Sequence, residues 1–213
     1  MKVIPHYLTA GDKKLTRRQA LLHRVVQQAL ARILPLLRSS QEVDIVFSVN
    51  TEATIAELGI GGYTPNAHTI YISLDPKHHK FVSSLKLALP RTLAHELHHA
   101  VRWIAPGYGQ TLGQALVTEG LAANFEQEVF GKNPNIWDIA VRGKKLQQLQ
   151  KRAASELHSP KYSHQEWFFG SKSRIIPRWT GYALGYRIVH EYLRKHPQLK
   201  PSRLVNIRAS ELL

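Results

Sequence analysis

The stretch TLAHELHHAVRW, Thr92 to Trp103, places three histidines and a glutamate within five residues of an otherwise amphipathic helical pattern. At ~100° and ~1.5 Å per residue, His95 and His99 point only ~40° apart and lie ~6 Å apart along the helix axis, so both imidazoles reach one ion. Glu96 sits ~80° off the bisector of that pair, too far round to share the ligand set and well placed to touch a water beside the metal. This is the mechanical logic of H-E-x-x-H on a helix: two ligands, with a base one step away. His98 lies ~80° to the other side, where it would support a ligand from behind, face the substrate or be solvated, the last being the main expectation.

The rest of the helix agrees. Leu93, Leu97, Ala100, Val101 and Ile104 centre ~180° from His95, so one side is core and the other is left to line a cleft. With 12 histidines and 11 glutamates in 213 residues, chance alone gives about 0.03 occurrences of the pattern. Glu96 and His99 also form the E-x-x-H unit of di-iron helix bundles, but those need a second copy on another helix, and the sequence has none.

A mononuclear hydrolytic zinc site wants three protein ligands and an open position. Downstream, TLGQALVTEGLAANFEQEVFG begins with Thr111 and Gln114 at capping-box spacing and ends at Gly131, a helix terminator. Leu112, Ala115, Leu116, Ala122 and Ala123 form its apolar stripe, and Glu119 falls in the middle of it. A carboxylate there is costly unless a cation or a good donor meets it. About four residues of helix beyond His99, a loop, and eight residues of returning helix would bring Glu119 level with the histidines. Gly120, Ala122 and Ala123 permit close helix approach. A salt bridge from Glu119 to one of the arginines is the plain alternative. Glu126, two turns on, reads equally as a residue orienting a ligand histidine or as a surface residue.

Outward from these helices, MKVIPHYL reads as a first strand, at an edge because of Pro5. Leu15 to Leu37 reads as a long helix that Pro35 kinks or ends, with Leu22, Val25, Val26, Ala29, Leu30, Ile33, Leu34 and Leu37 on one face. VDIVFSVN and TIYISL alternate as half-buried strands. Between them a short helical piece near Glu52 to Leu58 ends at Gly59, and IGGYT followed by PNAH suggests a strand and a turn. From Phe81 helices dominate, broken at Pro106-Gly107, at Gly131 to Pro134, and over Ser159 to Pro177. The fold class is α+β: a small, mostly antiparallel N-terminal sheet with a long helix, then a helical part. One domain over 1–213 is expected, sheet-rich over 1–80 and helical over 81–213.

Composition narrows the chemistry. The chain has no cysteine, so a metal must use histidine and carboxylate. No apolar run approaches the ~18 residues of a membrane span, and the amino terminus lacks the apolar core and cleavage site of a secretory signal. A cytoplasmic protein with no membrane partner is the expectation. The net charge of +14 is compatible with nucleic-acid binding. However, the basic clusters Lys13 to Arg18, Lys144 to Arg152 and Lys172 to Arg178 are not interleaved with aromatics, and no nucleic-acid module signature is present. A basic non-enzymatic nucleic-acid-binding protein therefore stands only as an alternative.

His95, Glu96 and His99, followed by Glu119, resemble the gluzincins, the thermolysin-like metallopeptidases with two histidines and a glutamate on zinc. The longer pattern TLAHELHHAVRW, ALVTEGLAANFE, PRWTGYALGYRIV is similar to the YjaZ-like predicted zinc-dependent proteases, over about Val43 to Tyr192. The resemblance implies a zincin-like fold and a peptide-hydrolysing enzyme with one zinc ion on His95, His99 and Glu119, and Glu96 as general base. TEGLAAN stands where thermolysin has N-E-x-x-S-D, so that enzyme's aspartate beside a ligand histidine has no counterpart.

Amide hydrolysis also needs a donor for the developing oxyanion. Tyr182 and Tyr186, in TGYALGYRIVHEYL, are the candidates. GIGGYTPNAHTIYISLDP offers an edge strand for an extended peptide or protein substrate, with Gly61 and Gly62 letting its backbone approach. His68, His78 and His79 fit no ligand spacing and are expected to be solvated. A metal-dependent hydrolase of a non-peptide bond would keep the same site.

Overall fold

The computed structural model describes residues 1–131 and 133–213 and divides into two compact units, Met1–Ile104 and Ala105–Leu213. The histidine helix thus belongs with the sheet, and the change from strands to helices near residue 80 is a change of secondary structure inside the first unit.

In that unit, β1 (Lys2–Tyr7), β2 (Glu42–Val49), β3 (Ile60–Asn66) and β4 (Thr69–Leu74) form one sheet in the order β1-β2-β4-β3. The strand carrying Pro5 is at an edge, as its missing N–H requires. The sheet is not mostly antiparallel: β1 and β2 pair parallel, β2 and β4 pair parallel, and only β3 and β4 are antiparallel. The reason is connectivity. The helix between β1 and β2 returns the chain to the end where it started, which forces a parallel pair. The tight turn at Ala67-His68 makes β3 and β4 antiparallel and leaves β3 outermost. Val43, Ile45 and Phe47 of β2 and Ile70, Ile72 and Leu74 of β4 are fully buried, as their alternation predicts.

The long helix expected over Leu15 to Leu37 is two helices, α1 (Lys13–Thr16) and α2 (Gln19–Ile33). Asp12 caps α1 by accepting a hydrogen bond from the Leu15 N–H at 2.8 Å. The second helix stops two residues before Pro35, which disfavours helical backbone just ahead of it, and it buries Leu22, Val25, Val26, Ala29, Leu30 and Ile33. The piece near Glu52 to Leu58 is a 3-10 turn over Thr51–Ala53 and a bridge from Ile55 to Ile60, reversed at Gly59 with φ +66°. After α3 (Phe81–Leu87), α4 (Leu89–Ile104) packs on β3 and β4 and against α2 and α3.

The second unit is helical: α5 (Leu112–Phe130), α6 (Gly143–Ala154) and α7 (Thr180–Lys195), with a π-helical turn at Gln165–Phe169. The capping box at Thr111 and Gln114 is formed, and α5 ends at Gly131 with φ +104°. Instead of a single apolar stripe, α5 is buried on nearly all sides from Leu112 to Glu126, its polar Thr118, Glu119, Asn124 and Glu126 included. The stretch 159–177 contributes the buried Trp167 and Phe168 to the core. Trp167 and Arg174 both donate to Glu156, and Arg174 also binds Glu166. Among the described residues, no helix is long and apolar enough to cross a membrane.

The close approach that Gly120 allows is to α7. A Cβ on Gly120 would sit 2.0 Å from the Gly185 carbonyl oxygen, and one on Gly185 would sit 2.2 Å from that of Leu116. Backbone atoms in two packed helices have nowhere to retreat. Gly185→Ala is therefore expected to destabilise the protein by about 1–3 kcal/mol, despite alanine's better helix propensity; a urea midpoint equal to wild type would refute the tight crossing.

Candidate metal centre

On α4, His95 is half-buried and His99 buried, and their rings lie edge to face with centroids 4.5 Å apart. One turn of helix separates them, so the pairing follows directly from local geometry. Glu96 is 6% exposed, and an ionised carboxylate there needs a donor. Thr64 on β3 supplies it, its hydroxyl donating to Glu96 Oε2 at 2.6 Å. The Trp103 indole N–H donates to the Thr64 carbonyl oxygen at 2.9 Å, so the same β3 residue is tied to α4 through both its side chain and its backbone.

Gly62 has its own reason in this arrangement. A Cβ there would lie 2.5 Å from Glu96 Oε1, and one on Gly61 would lie 2.1 Å from the Ala53 carbonyl oxygen. The room these glycines create is filled by the chain's own Glu96 and Ala53. The strand they belong to is an outer one, with β4 as its neighbour in the sheet.

His98 is not solvated: it is 0% exposed. The expectation placed it by its angle from the ligand pair, and α4 is buried over more of its circumference than a two-sided helix would be. Arg102, one turn beyond His99, is 1% exposed, and burial pushes its guanidinium down to about 10, so it remains charged at neutral pH. His68 and His79 are exposed, and His78 is half-buried with Nε2 3.0 Å from the Ala56 carbonyl oxygen.

In the second unit, Glu119 lies midway along α5 and is 6% exposed. The Tyr108 hydroxyl donates to its Oε1 at 2.6 Å. Burial, and then the Glu119 charge, raise the Tyr108 phenol well above its ordinary value, which keeps the hydroxyl a donor. Tyr162, whose hydroxyl lies 3.2 Å from His164 Nδ1, is raised by burial and by the same charge. His164, stacked on Phe168, is lowered by burial while Glu119 pulls it upward. Glu126 is not at the surface: it is 1% exposed, and Asn135 Nδ2 donates to it at 2.7 Å.

Of the two expected tyrosines, Tyr182 packs edge-on against Phe168 and lies close enough to Tyr108 to raise its phenol. Tyr186 stacks on His190, with its hydroxyl 3.5 Å from Gln127 Oε1. Sequence reading missed Thr64, Tyr108, Tyr162 and His164. None repeats at a periodic spacing, and the only hint was Glu119 itself, a carboxylate in an apolar stripe that required a donor.

His95, His99 and Glu119 are a group that could hold a metal ion, each offering one ligand atom. Two imidazole nitrogens and one carboxylate oxygen are a donor set that suits zinc. The family described as "Predicted Zn-dependent protease (DUF2268)" matches residues 22–213. The chain belongs to this family. The match is wider than the stretch on which the resemblance was read, taking in α2 and the carboxy-terminal residues. No curated protein and no solved structure matches the chain.

The Thr64 hydroxyl gives a test of the site's construction that needs no metal. Thr64→Val leaves a buried acceptor without that donor and is expected to cost about 1–3 kcal/mol, whereas Thr64→Ser restores the bond. Chemical denaturation of the metal-free proteins measures both, and a valine variant as stable as the serine variant would contradict the assignment.

Proposed function

We propose that the protein is a zinc-dependent metallopeptidase of gluzincin type on a zincin-like fold, in which His95, His99 and Glu119 hold one ion and Glu96 is the general base. The presence of two imidazoles and one carboxylate that could together hold a metal ion carries this reading. The family's description as a predicted zinc-dependent protease supports it from outside the site.

Three protein donors fit a catalytic zinc, which keeps a fourth position for substrate or water. When bound, zinc supplies a Lewis acid that polarises a carbonyl and eases deprotonation of water. Glu96 accepts a proton from the attacking water and returns it to the leaving amine nitrogen as the C–N bond breaks. Thr64 donates to one carboxylate oxygen and limits the rotation of the side chain, so the other oxygen faces a consistent direction. Tyr182 is the better supported oxyanion donor of the two tyrosines, because it lies near Tyr108 and thus near the Glu119 carboxylate. Tyr186 is directed toward Gln127.

The substrate is a peptide or protein in extended form, lying along β3. Support comes from the outer position of β3 and its attachment to α4 through Thr64 and Trp103. An edge strand pairs with extended backbone irrespective of side chains.

Glu96→Gln is expected to keep a full equivalent of zinc and to lose peptidase activity by about 10²- to 10⁴-fold, measured on a pool of quenched fluorescent peptides. His95→Ala is expected to lose the zinc itself. Less than about half an equivalent of zinc in the reconstituted wild type would sink the site, and full activity in Glu96→Gln would remove the base. Gly62→Ala, whose new methyl displaces Glu96, should retain zinc while hydrolysis falls; unchanged turnover would show that Glu96's position is not held from β3.

A further inference from the structure

We propose that Tyr108 is a positioning residue for metal binding: its hydroxyl fixes the rotation of the Glu119 carboxylate, and its loop is fastened to α5 so that this orientation exists before an ion arrives. The proposal rests on the reading of Glu119 as a ligand.

Both ends of Tyr108 are attached to the helix that carries Glu119. The hydroxyl donates to Glu119 Oε1 at 2.6 Å, and the Tyr108 carbonyl oxygen accepts from the hydroxyl of the fully buried Thr118 at 2.9 Å. The following residues are fastened to the same helix. Gly109, at φ +108°, lies so close that a Cβ there would be 2.3 Å from Gln114 Cβ. The N–H groups of Gln110 and Thr111 both donate to Gln114 Oε1, at 2.8 and 3.1 Å. Thus the capping box that starts α5 also sets the path of the Tyr108 loop. The loop and the carboxylate are attached to the same helix.

A phenol has one proton to donate. Spent on Glu119, it is not available to a substrate oxygen, which separates the role of Tyr108 from that of an oxyanion donor. Two effects of the bond oppose each other. It draws charge from the carboxylate, which weakens a metal bond, and it removes rotational freedom that binding would otherwise have to freeze. The second prevails when the donor is itself held, because groups that orient a ligand typically contribute 10–100-fold in metal affinity.

The test is zinc affinity of the purified full chain, by competition with a chromogenic chelator, for wild type, Tyr108→Phe, Glu119→Ala and the double variant. Melting of each metal-free protein is followed alongside. The expected result is about 10–100-fold weaker binding for Tyr108→Phe, a larger loss for Glu119→Ala, and no further loss in the double variant. Tyr108→Phe within twofold of wild type, with Glu119→Ala impaired, overturns this proposal alone; so does an additive loss in the double variant. Glu119→Ala at wild-type affinity overturns the ligand assignment and this proposal with it. If Tyr108→Phe does not fold, Thr118→Val, which releases the backbone end of the clamp, is expected to weaken zinc binding severalfold. Wild-type affinity there would also overturn the proposal.

Discussion

A carboxylate taken out of water must be met by a donor or a cation, and much of this protein follows from meeting that demand at several places. Glu96 on α4 is met by the Thr64 hydroxyl, Glu119 on α5 by the Tyr108 hydroxyl, and Glu126 by the Asn135 amide. Each donor comes from a different element and fixes that element where it is. Thr64 holds β3 on α4, Tyr108 holds its loop on α5, and Asn135 holds the segment after α5 against the helix it leaves. An unmet buried carboxylate costs several kcal/mol or takes up a proton. These contacts are thus constraints on the fold as well as features of a site.

That dual role explains why the glycines sit where they do. Gly62 makes room for Glu96, and Gly120 and Gly185 let α5 and α7 cross backbone to backbone. The first brings an acidic side chain up against a strand; the second buries the helix on which Glu119 stands. In a family of predicted zinc-dependent proteases, buried carboxylates each held by a specific donor suit the proposed chemistry, in which a misplacement of about 1 Å is costly.

The motif helix was legible because its geometry is local. A spacing of four residues places two imidazoles together on any α-helix, whatever surrounds it. The same holds for the capping box at Thr111, the stop at Gly131, and the alternation of β2 and β4. Glu119 was legible for a different reason: a charge in an apolar stripe announces a need. What answers that need was not legible, since Tyr108 lies in an aperiodic loop and Thr64 in a glycine-rich strand with no distinctive pattern. His98 was misread because angular position on a helix says nothing about how much of its circumference the rest of the chain covers.

The sequence by itself determined most of the segments that are helix and strand, though not the break between α1 and α2 or the 3-10 turn at Thr51–Ala53, and which residues have the spacing and chemistry to bind a metal. Those properties depend on neighbours a few residues away. Only the tertiary structure decided that two of the three strand pairings are parallel, that His98 is enclosed, and which donor attends Glu96, Glu119 and Glu126. Strand direction follows from how connections cross the sheet. The Thr64 contact joins residues 32 apart in sequence, a separation at which no periodic rule connects donor to acceptor and only packing brings them together.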